Sequence, residues 1–152
     1  MVHPIVASNR YLTLATCVEN IVWSAPVAYA YSEDKKEFYF YSSTKALHSL
    51  HIDENPLVSL CVFDSNKPSN KAEGIQVSAQ AALVDEPELE IVLKLYYEQS
   101  FPNMDEREKW VRPKENFLGN APHRFYKLLP IKAYINDVDE NMIDYRKEID
   151  IF

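Results

Sequence analysis

Residues 37–63, EFYFYSSTKALHSLHIDENPLVSLCVF, carry the pattern that decides the fold. An aromatic run over residues 38–41 predicts a strand, because aromatic side chains favour the pleated surface of a sheet. A helix is predicted over residues 44–54, and the Asn-Pro pair that follows is expected to end it. Residues 57–63 are apolar and predict a second strand. The segment is therefore a strand, a polar turn, a helix and a strand.

The turn inside this segment has the composition of an anion site. Ser42, Ser43 and Thr44 form an uninterrupted run of hydroxyls, and Lys45 follows where the helix is expected to begin. Hydroxyls, free backbone N–H groups and a cation at a helix start favour phosphate. The alternative is that the turn binds no ligand. Ser and Thr are preferred helix caps, and a lysine at this position can simply be solvated. The turn is predicted to be a phosphate cradle.

The remaining sequence predicts a mainly β protein with minor α content, a six-stranded antiparallel barrel with two or three helices. Pro26 interrupts the second strand and indicates an edge position or a bulge. The first three strands are expected to form an antiparallel meander. The further strands are predicted at residues 10–18, 21–31, 74–84 and 124–135, and the further helices at residues 85–101 and within 104–117.

Length and composition restrict the classes of function. At 152 residues the chain favours one domain, 1–152, with a core at about 10–135 and a charged tail at 137–152 that packs on a partner or is partly disordered. A net charge of −7 without a basic cluster excludes a nucleic-acid or anionic-membrane partner. The absence of a signal segment and the unpaired pattern of Cys17 and Cys61 predict a cytoplasmic protein. With only two glycines, a glycine-rich nucleotide loop is excluded.

Two histidines on the predicted helix raise the question of a metal. His48 and His51 lie three residues apart, a spacing that can hold a metal ion. No further His or Cys completes the set, so no metal site is predicted. His48 is expected beside the phosphate instead.

The order of these segments resembles the pyridoxamine 5′-phosphate oxidase-like, FMN-binding split-barrel superfamily. The resemblance covers residues 10–135 and includes the LAT triplet at residues 14–16, YFYSSTKALHSL, the Asn-Pro turn, VSLCVF and GIQVSAQAALV. It implies a homodimer with FMN at the subunit interface, acting on a small-molecule substrate or electron donor. The implied cofactor-binding residues are Ala25, Pro26, Val27 and Ala28 against the ring, Ser42, Ser43, Thr44 and Lys45 at the phosphate, and Gln76 on a later strand. Tyr41 and His48 complete the predicted cofactor-binding set.

The sequence departs from the true oxidase of that superfamily in ways that bear on function. Ala25 and Ala30 stand where the oxidase carries basic residues, and Thr44 precedes Lys45 where it has a second one. The C-terminal Trp and Arg pattern has no match in HRFYKLLPIKAYIND. Vitamin B6 synthesis is therefore not predicted, and Lys45 is expected to be the main cation of the cradle.

The leading hypothesis is an FMN-dependent oxidoreductase of unknown substrate that transfers hydride through the bound flavin. No catalytic residue is identified. The alternatives are a flavin- or haem-binding protein without turnover, serving in storage, sensing or stress, and an F420-dependent reductase.

Overall fold

The computed structural model describes residues 2–150, which form eight strands and four α-helices. The mainly β class is confirmed. The helices are α1 (Pro4–Ser8), α2 (Leu47–Glu54), α3 (Glu86–Ser100) and α4 (Met104–Trp110), with short 3₁₀ turns at Ser69–Lys71 and Lys114–Phe117. The strands are β1 (Tyr11–Val18), β2 (Ile21–Ala28), β3 (Ala30–Ser32), β4 (Glu37–Ser43), β5 (Leu57–Phe63), β6 (Gly74–Leu83), β7 (His123–Val138) and β8 (Asp144–Ile149).

The sheet closes on itself as a split barrel. Its strand order is β2-β1-β5-β6-β7-β4-β3, with β8 paired to β7, and every pairing is antiparallel. The two strands at the ends of this order, β2 and β3, are separated in the chain only by Tyr29. The two edges must therefore lie next to each other, which curls the sheet into a barrel with one open seam.

The position of this seam shows that the predicted second strand and the predicted meander are wrong. Residues 21–31 were expected to form one strand, but the chain leaves the sheet at Tyr29 and divides into β2 and β3. β2 pairs with β1, and only the short β3 pairs with β4. The buried Tyr29 explains the break, because its hydroxyl donates to the Val6 carbonyl at 2.6 Å and draws the chain toward α1.

The helix of the deciding segment also begins later than predicted. α2 starts at Leu47 rather than at residue 44. The pairing of β4 with β7 continues to Ser43, and the Thr44 N–H donates to the Pro122 carbonyl at 3.0 Å. These sheet-like hydrogen bonds keep the backbone extended through the hydroxyl run, so Lys45 lies in a turn before the helix.

The charged C-terminal segment is more ordered than predicted. β7 runs to Val138 and turns back through β8, so residues 144–149 form a hairpin with it. The strand β8 is charged at four of its six positions and exposed at all but Ile149, so its sequence resembles that of a solvated tail. Together with β3, this strand accounts for eight strands where six were expected; Ile151 and Phe152 lie outside the described residues.

Two apolar cores hold the elements together. One fills the barrel, with large buried side chains from β1, β4, β5, β6 and β7. The second lies outside it, where α3 covers the outer surface of β4 and β7. Members of the first are Leu12, Leu14, Phe38, Phe40, Leu60, Val62, Ile75, Val77, Tyr126 and Leu128. Members of the second are Tyr39, Leu89, Val92, Tyr96, Tyr97, Phe117 and Phe125.

Polar contacts at both ends of α3 fix its position. Near its start, the Glu88 carboxylate accepts from Lys35 at 2.7 Å and from Lys127 at 2.6 Å. Near its end, the Gln99 amide both accepts from the N–H and donates to the carbonyl of Tyr31, at 2.9 Å each. The Gln99 amide thus makes the hydrogen bonds that a neighbouring strand would make with Tyr31 of β3. These contacts hold α3 as one side of a cleft.

Candidate functional site

The exposed edge of β2 presents free backbone groups. The Tyr29 N–H donates to the Arg10 carbonyl at 3.1 Å, so these residues form a hydrogen-bonded pair. Because hydrogen-bonded and non-hydrogen-bonded pairs alternate in an antiparallel ladder, Pro26 and Ala28 direct their backbone groups away from β1. Pro26 lacks an N–H and occupies a position where none is needed, which confirms the predicted edge. The carbonyl of Pro26 and the N–H of Ala28 can meet a flat ligand ring.

The side chains of the four predicted ring residues alternate. Ala25 and Val27 are buried toward the barrel, Pro26 is exposed and Ala28 is half-buried. Contact with a ring would therefore come from backbone and from small side chains, and a flat ring can approach the edge closely.

The cradle, residues 42–48, leaves donors available for an anion. Ala46 occupies the cap position of α2 without a side-chain hydrogen bond, so the first N–H groups of the helix have no side-chain cap. The Ser43 hydroxyl accepts from the Lys45 N–H at 3.2 Å, and the Thr44 hydroxyl lies 3.4 Å from the Pro122 carbonyl. The alternative of ordinary capping by these hydroxyls is therefore not seen, and an uncapped helix start is what a phosphate group can occupy.

Lys45 is the cation of the cradle. Its side chain is exposed, and no carboxylate within residues 2–150 forms an ion pair with it. An ammonium group without a carboxylate partner, beside an uncapped helix start, fits the phosphate end of a flavin.

Both histidines of α2 are buried and hydrogen-bonded to hydroxyls. His48 Nε2 lies 2.7 Å from Ser42 Oγ, and His51 Nδ1 lies 2.9 Å from Thr16 Oγ1. Burial, with a smaller contribution from His51, holds the pKa of His48 below its usual value. His48 is therefore neutral at neutral pH and fixes the Ser42 hydroxyl at the base of the cradle. No group of three or more potential metal ligands occurs among the described residues.

Gln76 is exposed on the outer face of β6, away from the cradle. The register places Pro26, Thr13, Cys61 and Gln76 in one row across β2, β1, β5 and β6. Three strand spacings separate Gln76 from Pro26, about 14 Å. One copy of the chain therefore does not bring Gln76 to the edge of β2.

A cleft of about 1490 Å³ opens beside the β2 edge. It lies between α1, the junction of β2 and β3, the end of α3 and the segment from α4 to β7. Ala28 and Tyr41, both predicted cofactor residues, line it, whereas the turn at residues 42–45 lies outside. The cleft adjoins the predicted ring position, a location where a substrate could meet a cofactor.

One side of this cleft, the aromatic wall, is built of stacked rings. Tyr97 stacks on Phe101, with ring centroids 6.4 Å apart, and Phe101 stacks on Trp110 at 6.1 Å and 11°. Tyr41 contacts the wall through the edge of Tyr96 at 5.5 Å. Burial raises the pKa of Tyr96 to about 12, so its phenol is neutral at neutral pH.

The sequence analysis did not assign the wall to a site. The helical spacing of Tyr96 and Tyr97 indicates core packing, and both side chains are indeed buried. Trp110 lies on α4, far from them in the chain. The available sequence signal was the concentration of aromatic residues around the Phe-Pro pair that follows α3. Core packing explains this concentration equally well.

Comparison with known proteins agrees with the split barrel. The family model for pyridoxamine 5′-phosphate oxidase matches residues 2–128, so the chain belongs to this family. No curated protein sequence matches the chain. The family assignment confirms the resemblance inferred from the order of the segments.

Solved structures with the same fold bind different cofactors. A candidate pyridoxamine 5′-phosphate oxidase from Listeria innocua is 14% identical with a TM-score of 0.62, over 86% of this chain and 91% of that one. An FAD-binding protein from Mesorhizobium loti is 21% identical with a TM-score of 0.58, over 85% and 86%. A haem-storage protein from Vibrio cholerae is 13% identical with a TM-score of 0.65, over 86% and 89%. At these identities the similarity establishes the fold alone.

Within residues 2–150, no helix is long and apolar enough to cross a membrane. Cys17 and Cys61 are both free thiols, as predicted from their positions in strands.

Proposed function

We propose that this protein is an FMN-dependent oxidoreductase whose small-molecule substrate binds in the cleft beside the β2 edge. The observation that carries the proposal is the uncapped start of α2 next to the ammonium group of Lys45, which has no carboxylate partner within residues 2–150. Bound FMN would supply hydride transfer, and the protein would supply binding, orientation and exclusion of water.

Each part of the site has a separate task in this proposal. Lys45, the first N–H groups of α2 and the hydroxyls of the turn hold the phosphate. The free backbone groups of Pro26 and Ala28 meet the ring, while His48 keeps Ser42 in place. Tyr41 and Ala28 both line the cleft, so in this proposal the substrate meets the cofactor beside them.

We also propose that the site is completed by a second copy of the chain. Gln76 and the β2 edge share one outer face but lie three strands apart, so they meet only when two such faces pack together. The same face exposes Val22 (76%) and Leu57 (59%), apolar side chains that an interface would bury. The free thiols on this face agree with a cytoplasmic location.

Visible spectroscopy of the purified protein tests the cofactor. We expect flavin absorbance in the protein as isolated or after addition of FMN, and bleaching by NADH or NADPH without oxygen. F420, tested in parallel, should bind more weakly. A protein that takes up no FMN would contradict the proposal, whereas bound FMN that neither nucleotide bleaches would favour a binding protein without turnover.

Haem binding is the second candidate, favoured by one observation. His123 lies exposed at the rim of the cleft, and a histidine is a common axial ligand of haem iron. A Soret band after addition of haemin, lost in His123→Ala and retained in His3→Ala, which removes a half-buried histidine at the start of α1, would support it. Retention of the band in His123→Ala would exclude this residue as the ligand.

Sedimentation velocity tests the second copy. Val22→Glu should convert a dimer to a monomer and weaken FMN binding, because it places a charge on the apolar face. Ile91→Glu, an equally apolar and exposed position on α3, is the control and should leave the dimer intact. A monomeric wild type with full FMN affinity would contradict the shared site.

A further inference from the structure

The cleft is walled by aromatic rings that leave one surface open. Phe101 covers one face of the Trp110 indole, at 6.1 Å and an angle of 11°, yet Trp110 remains 53% exposed. Tyr97 continues the stack behind Phe101. A flat ring in the cleft can extend this series by one member, and offset stacking of aromatic rings contributes about 0.5–1.5 kcal/mol beyond burial.

The charges along the cleft do not favour an anionic ligand. Its two arginines are engaged by backbone carbonyls: Arg10 donates to Gln99 and Ser100, and Arg112 donates to Lys109 and Val111. The described lining also contains three carboxylates, those of Glu33, Asp34 and Glu115. A phosphate or carboxylate entering the cleft would therefore meet more negative than positive charge.

The volume of the cleft is larger than a single aromatic ring needs. Its volume of about 1490 Å³ is above the range of roughly 300–1,000 Å³ that is usual for small-molecule sites. The phenols of Tyr96 and Tyr97 add no charge to the cleft, because burial raises the pKa of both and keeps them neutral.

From these three features we infer that the cleft takes an uncharged, planar aromatic substrate of two or three fused rings, stacked on Trp110. The inference rests on the proposed function in calling the ligand a substrate. Binding itself requires no flavin, so it can be measured without the cofactor.

Calorimetric titration with three probes of one skeleton tests the ligand class. 2-Naphthol is planar and neutral, 2-naphthyl phosphate adds charge to the same rings, and decahydro-2-naphthol is neutral but not planar. We expect 2-naphthol to bind about two- to tenfold more tightly than the saturated compound, since a stacking contact contributes about 0.5–1.5 kcal/mol. It should also bind more tightly than the phosphate, which meets the carboxylates of the cleft. Equal binding of the saturated compound, or tighter binding of the phosphate, would overturn the inference.

Matched tryptophan variants test the place of binding. Trp110→Leu should weaken 2-naphthol about fivefold or more, with an unchanged circular dichroism spectrum because the side chain is exposed. Trp23→Leu removes a similarly exposed indole from β2, outside the cleft, and should change nothing. Equal affinity in both variants would place the ligand elsewhere.

Titration before and after loading with FMN separates the two proposals. If FMN binds and 2-naphthol still binds beside it, both stand. If FMN displaces 2-naphthol, the cleft is the flavin site and the inference fails. If 2-naphthol binds with the expected selectivity while FMN never binds, the oxidoreductase proposal fails, but the inference about the ligand class of the cleft stands.

Discussion

The cradle and the aromatic wall are neighbouring parts of one candidate site, but they are built in opposite ways. The cradle comes from seven consecutive residues, 42–48, and its donors are backbone N–H groups, hydroxyls and one ammonium group. The wall is assembled from α3, the residue that follows it and α4, and it offers side-chain rings. Backbone donors and hydroxyls can bind any phosphate group, whereas side-chain rings select for the shape of one ligand.

The largest expected effect concerns the support that lies beneath the cradle. Phe40 is fully buried in the barrel, with its ring 6.2 Å from that of His48 and stacked at 5.2 Å on Tyr126. Phe40→Ala should lower the free energy of unfolding by about 3–5 kcal/mol, because it leaves a cavity. Urea denaturation measures this. Phe63→Ala, at an exposed position on β5, is the control; a similar loss in both variants would show that the barrel core is not what supports the cradle.

The second effect separates the cradle from the wall. Lys45→Ala should weaken FMN binding about tenfold or more, since a charged hydrogen bond contributes about 1.5–3 kcal/mol. Binding of 2-naphthol should not change. The control is Lys94→Ala, which removes an exposed lysine from α3. Unchanged FMN affinity in Lys45→Ala, measured by fluorescence titration, would mean that the phosphate lies elsewhere.

The third effect is a dependence of stability on pH that comes from the cradle. The pKa of His48 is lowered by burial in the folded state, so below about pH 6.5 the unfolded chain binds the proton first. The free energy of unfolding should therefore fall as the pH drops from 6.5 toward 5, by at most about 1.4 kcal/mol per unit. His48→Gln should flatten this slope, and His123→Gln, at an exposed position, should not. An identical slope in wild type and His48→Gln would refute the assignment.

The smallest effect concerns the anchoring of the wall. Glu88 bridges Lys127 and Lys35, whose hydrogen bonds hold the pKa of its carboxyl below the usual value. Glu88→Gln should cost about 1 kcal/mol at neutral pH, because the pair with Lys127 is partly buried and the pair with Lys35 is largely solvated. The difference from wild type should shrink as the pH falls below about 4.5, because the unfolded chain takes up the proton first and the folded carboxylate, whose pKa is lower, follows at lower pH. Thermal unfolding at both pH values checks this, with Glu90→Gln as the control; a difference that persists at low pH would indicate a packing effect.

The sequence predicted the local features well because their causes are local. Alternating apolar residues determined β5 and β6, and Asn-Pro ended α2 where expected. The start of α2 was misplaced because its cause is distant: Thr44 donates to Pro122, 78 residues later. No pattern near Thr44 could have indicated that partner.

The same reasoning explains what was missed at the site. Lys45 and its hydroxyl neighbours are adjacent in the chain, so their composition was informative. Tyr41 and Tyr96 come into contact only because α3 packs on β4. Since buried aromatic residues at helical spacing indicate packing in most proteins, their second role as a cleft wall became visible only in three dimensions.

Pro26 has a consequence for the protein in a crowded solution. An exposed strand edge with a complete row of donors and acceptors invites another chain to add to the sheet, and such addition leads to aggregation. Pro26 removes one donor from the middle of the outward row on β2, so an incoming strand cannot form a continuous ladder there. A small planar molecule needs only one or two of these groups. The edge can therefore stay accessible to a ligand for the life of the protein while it resists self-association.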